Sequence, residues 1–328
     1  MKKRIYLLQS GTLKREDNNV AFIESKSGNK IYLPIYQLEC IYVYGHCNFN
    51  KEVLNLFNEH KVILLLFTFT GNYIGSFCHK HNVIGLTLIK QVNFVTDENI
   101  KTKYSVEIIK TSLKNMIAVL KYYNKKGIDL INNINAITNY IEKIEDNPRK
   151  LLIYEARAKQ AYYTSFNLII KNKDFIFNNR STNPTLDAMN AVMSYGYAIL
   201  YGIIENDIYK SNLTISLPFI HGLTKRNTGL QYDIADIFKP IIIDRLIFRL
   251  INKKQLLVTH FDIHKDKVLL NKEGSKLFIK EFEKSIQSII TITRTKKMSY
   301  RSIIKREVQN IEKSIKNDTN YKGFVMRW

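Results

Sequence analysis

The feature that most restricts this chain is a change of hydrophobic period near residue 82. Before it, short runs rich in β-branched and aromatic residues alternate with turn signals. After it, apolar residues recur at every third and fourth position, the spacing of helices buried along one face. The early runs fall at 5–9, 20–24, 30–33, 39–44, 62–67 and 73–78. They are separated by Ser10-Gly11, Asp17-Asn18-Asn19, Ser27-Gly28-Asn29 and Thr70-Gly71-Asn72. One helix is expected at 51–60. Because helices do not otherwise alternate with these strands, a small β-sandwich fits better than a parallel sheet. Later helices are expected at 97–125, 128–145, 148–172, 184–205, 231–252, 273–290 and 299–316, with Asp146-Asn147-Pro148 as a start signal for the third. Only 13 glycines and 5 prolines interrupt 328 residues, which favours long helices. The expected fold is therefore α+β. A β-sandwich-like domain occupies 1–82, a linker 83–96, and a larger all-α domain 97–328, ending in a basic, DNA-facing or flexible tail.

The charge narrows the partners. Fifty Lys and Arg oppose 29 Asp and Glu, a formal net charge of +21. An AT-rich coding bias accounts for lysine displacing arginine, but not for basic residues outnumbering acidic ones. The excess reads as a polyanion footprint. Cys40, Cys47 and Cys78 show no paired spacing, as expected of reduced thiols in a cytoplasmic protein. The basic start is followed by an apolar run of only four residues, and no stretch approaches eighteen, so neither export nor membrane insertion is expected. Cys78, His79 and His81 crowd a strand end without a fourth partner and read as a polar turn rather than a zinc site.

The chemistry concentrates in HGLTKRNTGLQYDIADIFKP, which begins at His221. Asp233 and Asp236 lie three apart on an expected helix and so share a face. A histidine from the preceding loop can reach the same spot. Carboxylates with an imidazole suit Mg²⁺ or Mn²⁺, and on a basic chain such a metal points to phosphodiester chemistry. Asp233 also fits a second role, capping or solvating the helix start through the macrodipole. Glu155, in LLIYEARAKQAYYTSF, shares a face with Leu151, Leu152, Ala158 and Tyr162. A glutamate on an apolar face is paired with Lys or Arg, capped, or bound to metal. Asn190 and Ser194 lie on one helix with Met189, Met193 and Tyr197, where they support the site between helices or meet the substrate.

These residues carry a resemblance to the CRISPR-associated integrase family of spacer acquisition, most like the version found with type I-B systems. It runs over nearly the full length, through GTLKREDNNVAFIE and YLPIYQLECIYVYG, then YEARAKQAYY, DAMNAVMSYGYAILY and HGLTKRNTGLQYDIADIFKPIIIDRLIF. The resemblance implies that Glu155, His221 and Asp236 are catalytic metal ligands for Mg²⁺ or Mn²⁺. It makes Asp233 an accessory acid and places Lys239 close to DNA. Ala156 stands where glycine usually follows the glutamate, and Ala188 where proline usually follows Asp187. The implied reaction joins the 3′-OH ends of a captured fragment of double-stranded DNA into the CRISPR repeat. The implied partners are a second copy of the chain and the small ferredoxin-like adaptation protein, and the N-terminal domain serves dimerisation and DNA contact. Lys225, Arg226, Lys239, Arg245 and Arg249 are candidate phosphate contacts. Two other readings stay open: a stand-alone metal-dependent nuclease acting on branched or double-stranded DNA, and a non-catalytic DNA-binding scaffold.

Overall fold

The computed structural model describes residues 2–80, 83–221, 228–264, 266–293 and 295–328. The chain divides into two compact units, residues 1–82 and 83–328.

The first unit contains β1 (Lys3–Leu7), β2 (Gly11–Glu16), β3 (Asn19–Glu24), β4 (Lys30–Leu33), β5 (Leu38–Val43), β6 (Cys47–Phe49), α1 (Lys51–His60), β7 (Ile63–Phe67) and β8 (Tyr73–Phe77). They form two four-stranded sheets, ordered β4-β3-β2-β6 and β1-β5-β7-β8. Leu13 and Phe22 of one sheet, Ile41 and Val43 of the other, and Val53 and Phe57 of α1 share one core. The expected two-sheet, sandwich-like arrangement forms, but its sheets are not free of parallel pairing: β1, β5 and β7 pair in parallel, as do β2 and β6. The β1-to-β5 connection runs through the β2–β4 meander instead of a helix, so it leaves no strand–helix alternation to read. β2 went unread because Lys14, Arg15 and Glu16 mask its period, leaving Leu13 as its one fully buried large side chain.

The second unit opens with α2 (Gly85–Thr96) where a linker was expected. Its buried Thr87, Gln91, Phe94 and Val95 follow helical spacing. The Gln91 amide donates to the carbonyls of Thr214 (3.0 Å) and Leu217 (3.2 Å) and accepts from Thr214 N–H (2.8 Å), which fastens the helix in place. Next come α3 (Glu98–Asn124), α4 (Ile131–Asp146), α5 (Leu151–Thr164), α6 (Phe166–Ile169) and α7 (Ala188–Tyr209). The expected helix 148–172 is broken at Ser165, whose hydroxyl donates to the Tyr162 carbonyl at 2.6 Å.

α8 (Leu230–Phe238) and α9 (Arg245–Asn252) read as one helix in sequence, but a π-helical segment, Lys239–Asp244, separates them. Pro240 explains the insertion. It has no N–H to give the Asp236 carbonyl four residues back. Ser112 Oγ of α3 donates to that carbonyl instead, at 2.8 Å, and Asn115 Nδ2 donates to the next one, Ile237, also at 2.8 Å. Gly196 lets α7 pack closely here, since a Cβ at this position would lie 2.7 Å from Ile243 Cγ2.

The unit is not all-α. β9 (Phe261–His264) pairs with β10 (Lys267–Leu270), and β11 (Ile289–Thr291) with β12 (Lys297–Ser299), on either side of α10 (Lys272–Gln287). The basic C-terminus is not a flexible tail. It forms α11 (Tyr300–Lys316) and then a segment whose Tyr321 and Met326 are buried. Glu307 accepts from Tyr321 OH and from Phe324 N–H (2.9 Å), and Asn115 Oδ1 accepts from Met326 N–H at 2.7 Å. Among the described residues no helix is long and apolar enough to cross a membrane.

Candidate active site

One face of α5 carries Glu155, Lys159 and Tyr162, with Lys159 reaching Asp236 of α8 and Tyr162 reaching Asp244 of the π-helical segment. Leu152, expected on that face, is exposed, whereas Leu151, Ala158 and Tyr162 are buried. Glu155 Oε1 accepts from Lys159 Nζ at 2.7 Å, and the same ammonium reaches Asp236 Oδ2 at 3.1 Å. The Lys239 ammonium pairs with the other Asp236 oxygen. The two carboxylates singled out from sequence are thus brought to one point, bridged by a lysine that was overlooked. The signal was its i+4 spacing from Glu155. Burial alone would raise the Asp236 carboxyl, but Lys159 and Lys239 outweigh it and hold the group well below the usual carboxylate range. Burial would likewise lower both lysines, yet Asp236 holds each above its ordinary value.

Asp233 neither caps nor solvates the helix start. Its side chain is fully buried and anchors the strap that precedes α8. Oδ2 accepts from the N–H groups of Phe219 (2.7 Å) and Ile220 (3.1 Å), while Oδ1 accepts from His221 N–H (3.3 Å) and contacts His221 Nδ1 at 2.6 Å. The bond to Asp233 raises the proton affinity of His221. A carboxylate on Nδ1 fixes the ring and leaves Nε2 as the coordinating nitrogen, the arrangement of metal-site histidines.

Among the described residues, no three His, Cys, Asp or Glu side chains stand close enough, as placed, to hold a metal ion. A lysine ammonium bridges Glu155 and Asp236 where a cation would be drawn. The donor chemistry fits a hard divalent ion all the same: two carboxylates that already gather positive charge, and an imidazole oriented by a third. The Cys78–His81 cluster gathers no such set among the described residues, and His81 lies outside them. Cys78 Sγ sits 3.2 Å from Ser76 Oγ, and His79 Nδ1 lies 3.0 Å from the Lys80 carbonyl oxygen.

A cavity of about 140 Å³ opens beside Asp236 and is also lined by Lys159, Arg180, Tyr197, Lys239 and Asp244. Burial pushes the Asp244 carboxyl up to about 7, although Tyr197 OH (2.6 Å) and Tyr162 OH (3.2 Å) donate to it. Asn190 and Ser194 reach this cavity through Arg180: Nη1 donates to Asn190 Oδ1 and Nη2 to Ser194 Oγ, both at 2.9 Å. Sequence reasoning missed Arg180, which lies in the non-helical segment before α7, and Asp244, and it read Tyr162 only as part of the apolar face beside Glu155.

The candidate phosphate contacts disperse. Lys225 and Arg226 lie outside the described residues. Lys239 is committed to Asp236. Arg245 packs over both the Tyr122 ring (4.7 Å) and the Trp328 ring (4.5 Å), and Arg249 pairs with Glu281 at 3.0 Å. Arg245 and Arg249 line a separate cleft of about 650 Å³ with Lys126, Lys171, Lys253 and Lys284.

Comparison with known proteins shows the family. The family described as CRISPR associated protein Cas1 matches residues 5–284. The chain belongs to the Cas1 family. Relatives in it are named CRISPR-associated endonucleases. A CRISPR-associated endonuclease Cas1 of Thermodesulfovibrio yellowstonii is 31% identical, with 100% of both chains covered. One from Fusobacterium nucleatum is 32% identical over 100% of this chain and 98% of the relative. The structure of a CAS1 protein from Thermotoga maritima superposes with a TM-score of 0.88 at 28% identity, covering 98% of this chain and 99% of the other. Ala188 opens α7 directly after its Asp187 cap, a position that tolerates proline but does not require it. Ala156 lies exposed on α5.

Proposed function

We propose that this chain is a metal-dependent DNA integrase that joins the 3′-OH ends of captured double-stranded DNA to the CRISPR repeat by transesterification. The observation that carries the reading is the meeting of Glu155 and Asp236 at one ammonium, 2.7 and 3.1 Å away, on a chain of net charge +21. Glu155, His221 and Asp236 would hold Mg²⁺ or Mn²⁺. Such an ion neutralises non-bridging phosphate oxygens and lowers the proton affinity of an attacking hydroxyl. Asp233 orients the His221 ring. Lys159 and Lys239 balance Asp236 until substrate arrives, and against the opposing effect of burial these two ammonium groups keep it ionised throughout the physiological range.

The reaction is an exchange of phosphodiesters. The fragment's 3′ oxygen forms a bond to phosphorus, the repeat strand's 3′ oxygen leaves, and the proton passes from one hydroxyl to the other. No protein nucleophile takes part. Joining both fragment ends to opposite strands needs two sites at fixed separation, which a homodimer bridged by a small ferredoxin-like adaptation protein supplies. In this reading the N-terminal unit serves dimerisation and DNA contact, the cellular setting is a cytoplasmic type I-B-like system, and Lys225, Arg226, Lys239, Arg245 and Arg249 contact phosphates.

The test incubates the protein and its small partner with Mn²⁺, a short 3′-OH duplex and a supercoiled plasmid bearing the repeat. Covalent joining that vanishes with a 3′-dideoxy end supports integration. Nicking without joining, with the partner bound, favours the stand-alone nuclease. DNA binding without joining or nicking, equal in wild type and Glu155→Ala, leaves only the scaffold.

A further inference from the structure

The cavity beside Asp236 is lined by three cations, Lys159, Arg180 and Lys239. Two of them are matched by carboxylates: Lys159 meets Glu155 and Asp236, and Lys239 meets Asp236. Arg180 is held differently. Its Nη1 donates to Asn190 Oδ1 and the Ser181 carbonyl, and its Nη2 donates to Ser194 Oγ. All three acceptors are neutral, and among the described residues Arg180 makes no ion pair. Its guanidinium packs 5.5 Å from the centroid of the Tyr197 ring. Asn190 is itself locked, fully buried, with Nδ2 donating to the Asn179 carbonyl (2.8 Å) and to Asp187 Oδ2 (2.6 Å).

The chemistry of that arrangement is specific. Neutral acceptors fix the plane of a guanidinium without cancelling its charge. Three of its five donors are used, which leaves Nε–H and one hydrogen on Nη2 for a ligand. The remaining carboxylate in the cavity wall, Asp244, already takes two tyrosine hydroxyls. A half-buried, preorganised cation with two free donors matches a phosphate oxygen.

We propose that Arg180 is a phosphate-binding residue, which receives a non-bridging oxygen of a DNA phosphodiester in the cavity beside Asp236, with Asn190 and Ser194 setting its orientation. The inference rests on the proposed function in taking DNA as the ligand. It gives Asn190 and Ser194 a positioning role toward substrate in place of a purely interhelical one.

The experiment measures binding of a short duplex in chelator, so that neither metal nor chemistry contributes, across a range of salt. Each phosphate contact adds about 0.9 to the slope of log K against log salt. Arg180→Gln is expected to flatten that slope by about 0.9. In a series of duplexes each carrying one neutral methylphosphonate, one position should flatten the wild-type slope equally and cost Arg180→Gln nothing more. Arg180→Lys keeps the charge and should keep the wild-type slope. An unchanged slope in Arg180→Gln would reduce Arg180 to a tether for the segment before α7. Equal flattening in the Gln and Lys variants, with lowered melting temperatures, would mark a folding defect and refute the assignment. A wild-type protein that binds no duplex at all would instead overturn the functional reading beneath it.

Discussion

Replacing Asp236 with alanine should destabilise the helical unit as well as abolish activity, and the structure fixes the scale. The Asp236 side chain is 6% exposed and faces two ammonium groups, those of Lys159 and Lys239. Removing it leaves both cations side by side with only Glu155 to balance them. Breaking a buried ion pair costs about 3–5 kcal/mol. The lysines retain 28% and 20% exposure and can turn partly toward water, which lowers the expectation to about 2–3 kcal/mol. For a unit of this size that is a fall in melting temperature of roughly 5–10 °C. Scanning calorimetry reads it directly. The double variant Asp236→Ala/Lys159→Met should recover part of the loss, because one of the stranded charges is gone. The pH dependence has a definite sign. A carboxylate held below its ordinary value contributes stability above about pH 4 and loses it as pH falls, so wild type and Asp236→Ala should converge in acid. An Asp236→Ala protein that melts with the wild type at pH 7 would refute the charge network.

Other outcomes follow from the same contacts. Burial raises the Glu307 carboxyl to about 7, so the folded protein holds a proton that the unfolded chain releases, and stability falls from about pH 4.5 to 7. Glu307→Gln keeps the acceptor for Tyr321 and Phe324 and should remove that loss, up to roughly 3 kcal/mol, in urea unfolding at pH 8. Equal pH profiles for the two proteins would contradict it. Asp233→Ala should cost about 2–3 kcal/mol by stranding the N–H groups of Phe219 and Ile220. It should also lower the His221 titration midpoint followed by NMR, and an unmoved midpoint would break the proposed orientation of that ring. Ser112→Ala leaves the Asp236 carbonyl without its donor at Pro240, an expected loss of about 1–2 kcal/mol in chemical unfolding.

Much of this was legible in the sequence where one periodicity dominates. The expected helix 97–125 is α3, Glu98–Asn124, because twenty-seven residues of amphipathic spacing average out local ambiguity. The change of period at residue 82 coincides with the division between the two units. What escaped depends on partners distant in sequence. The π-helical segment needs Ser112 and Asn115, more than a hundred residues upstream, to satisfy the carbonyls that Pro240 frees. The short hairpins β9–β10 and β11–β12 carry too few residues for a period to emerge. At the site, residue types and spacing pointed to His221, Asp233 and Asp236 and marked Glu155 as unusual. Only the family resemblance implied Glu155, His221 and Asp236 as the ligand set. The cations that neutralise or surround them, Lys159 and Arg180, looked like ordinary surface charge until the helices were packed.

The central claim is that Glu155, His221 and Asp236 hold one divalent metal. Titration with Mn²⁺, followed by electron paramagnetic resonance, tests it most directly in wild type, Glu155→Gln, His221→Ala and Asp236→Asn. The account predicts one tightly bound ion per chain in the wild type and its loss in each variant, at melting temperatures that confirm folding. Equal Mn²⁺ binding in all four proteins would place the metal elsewhere and contradict the account.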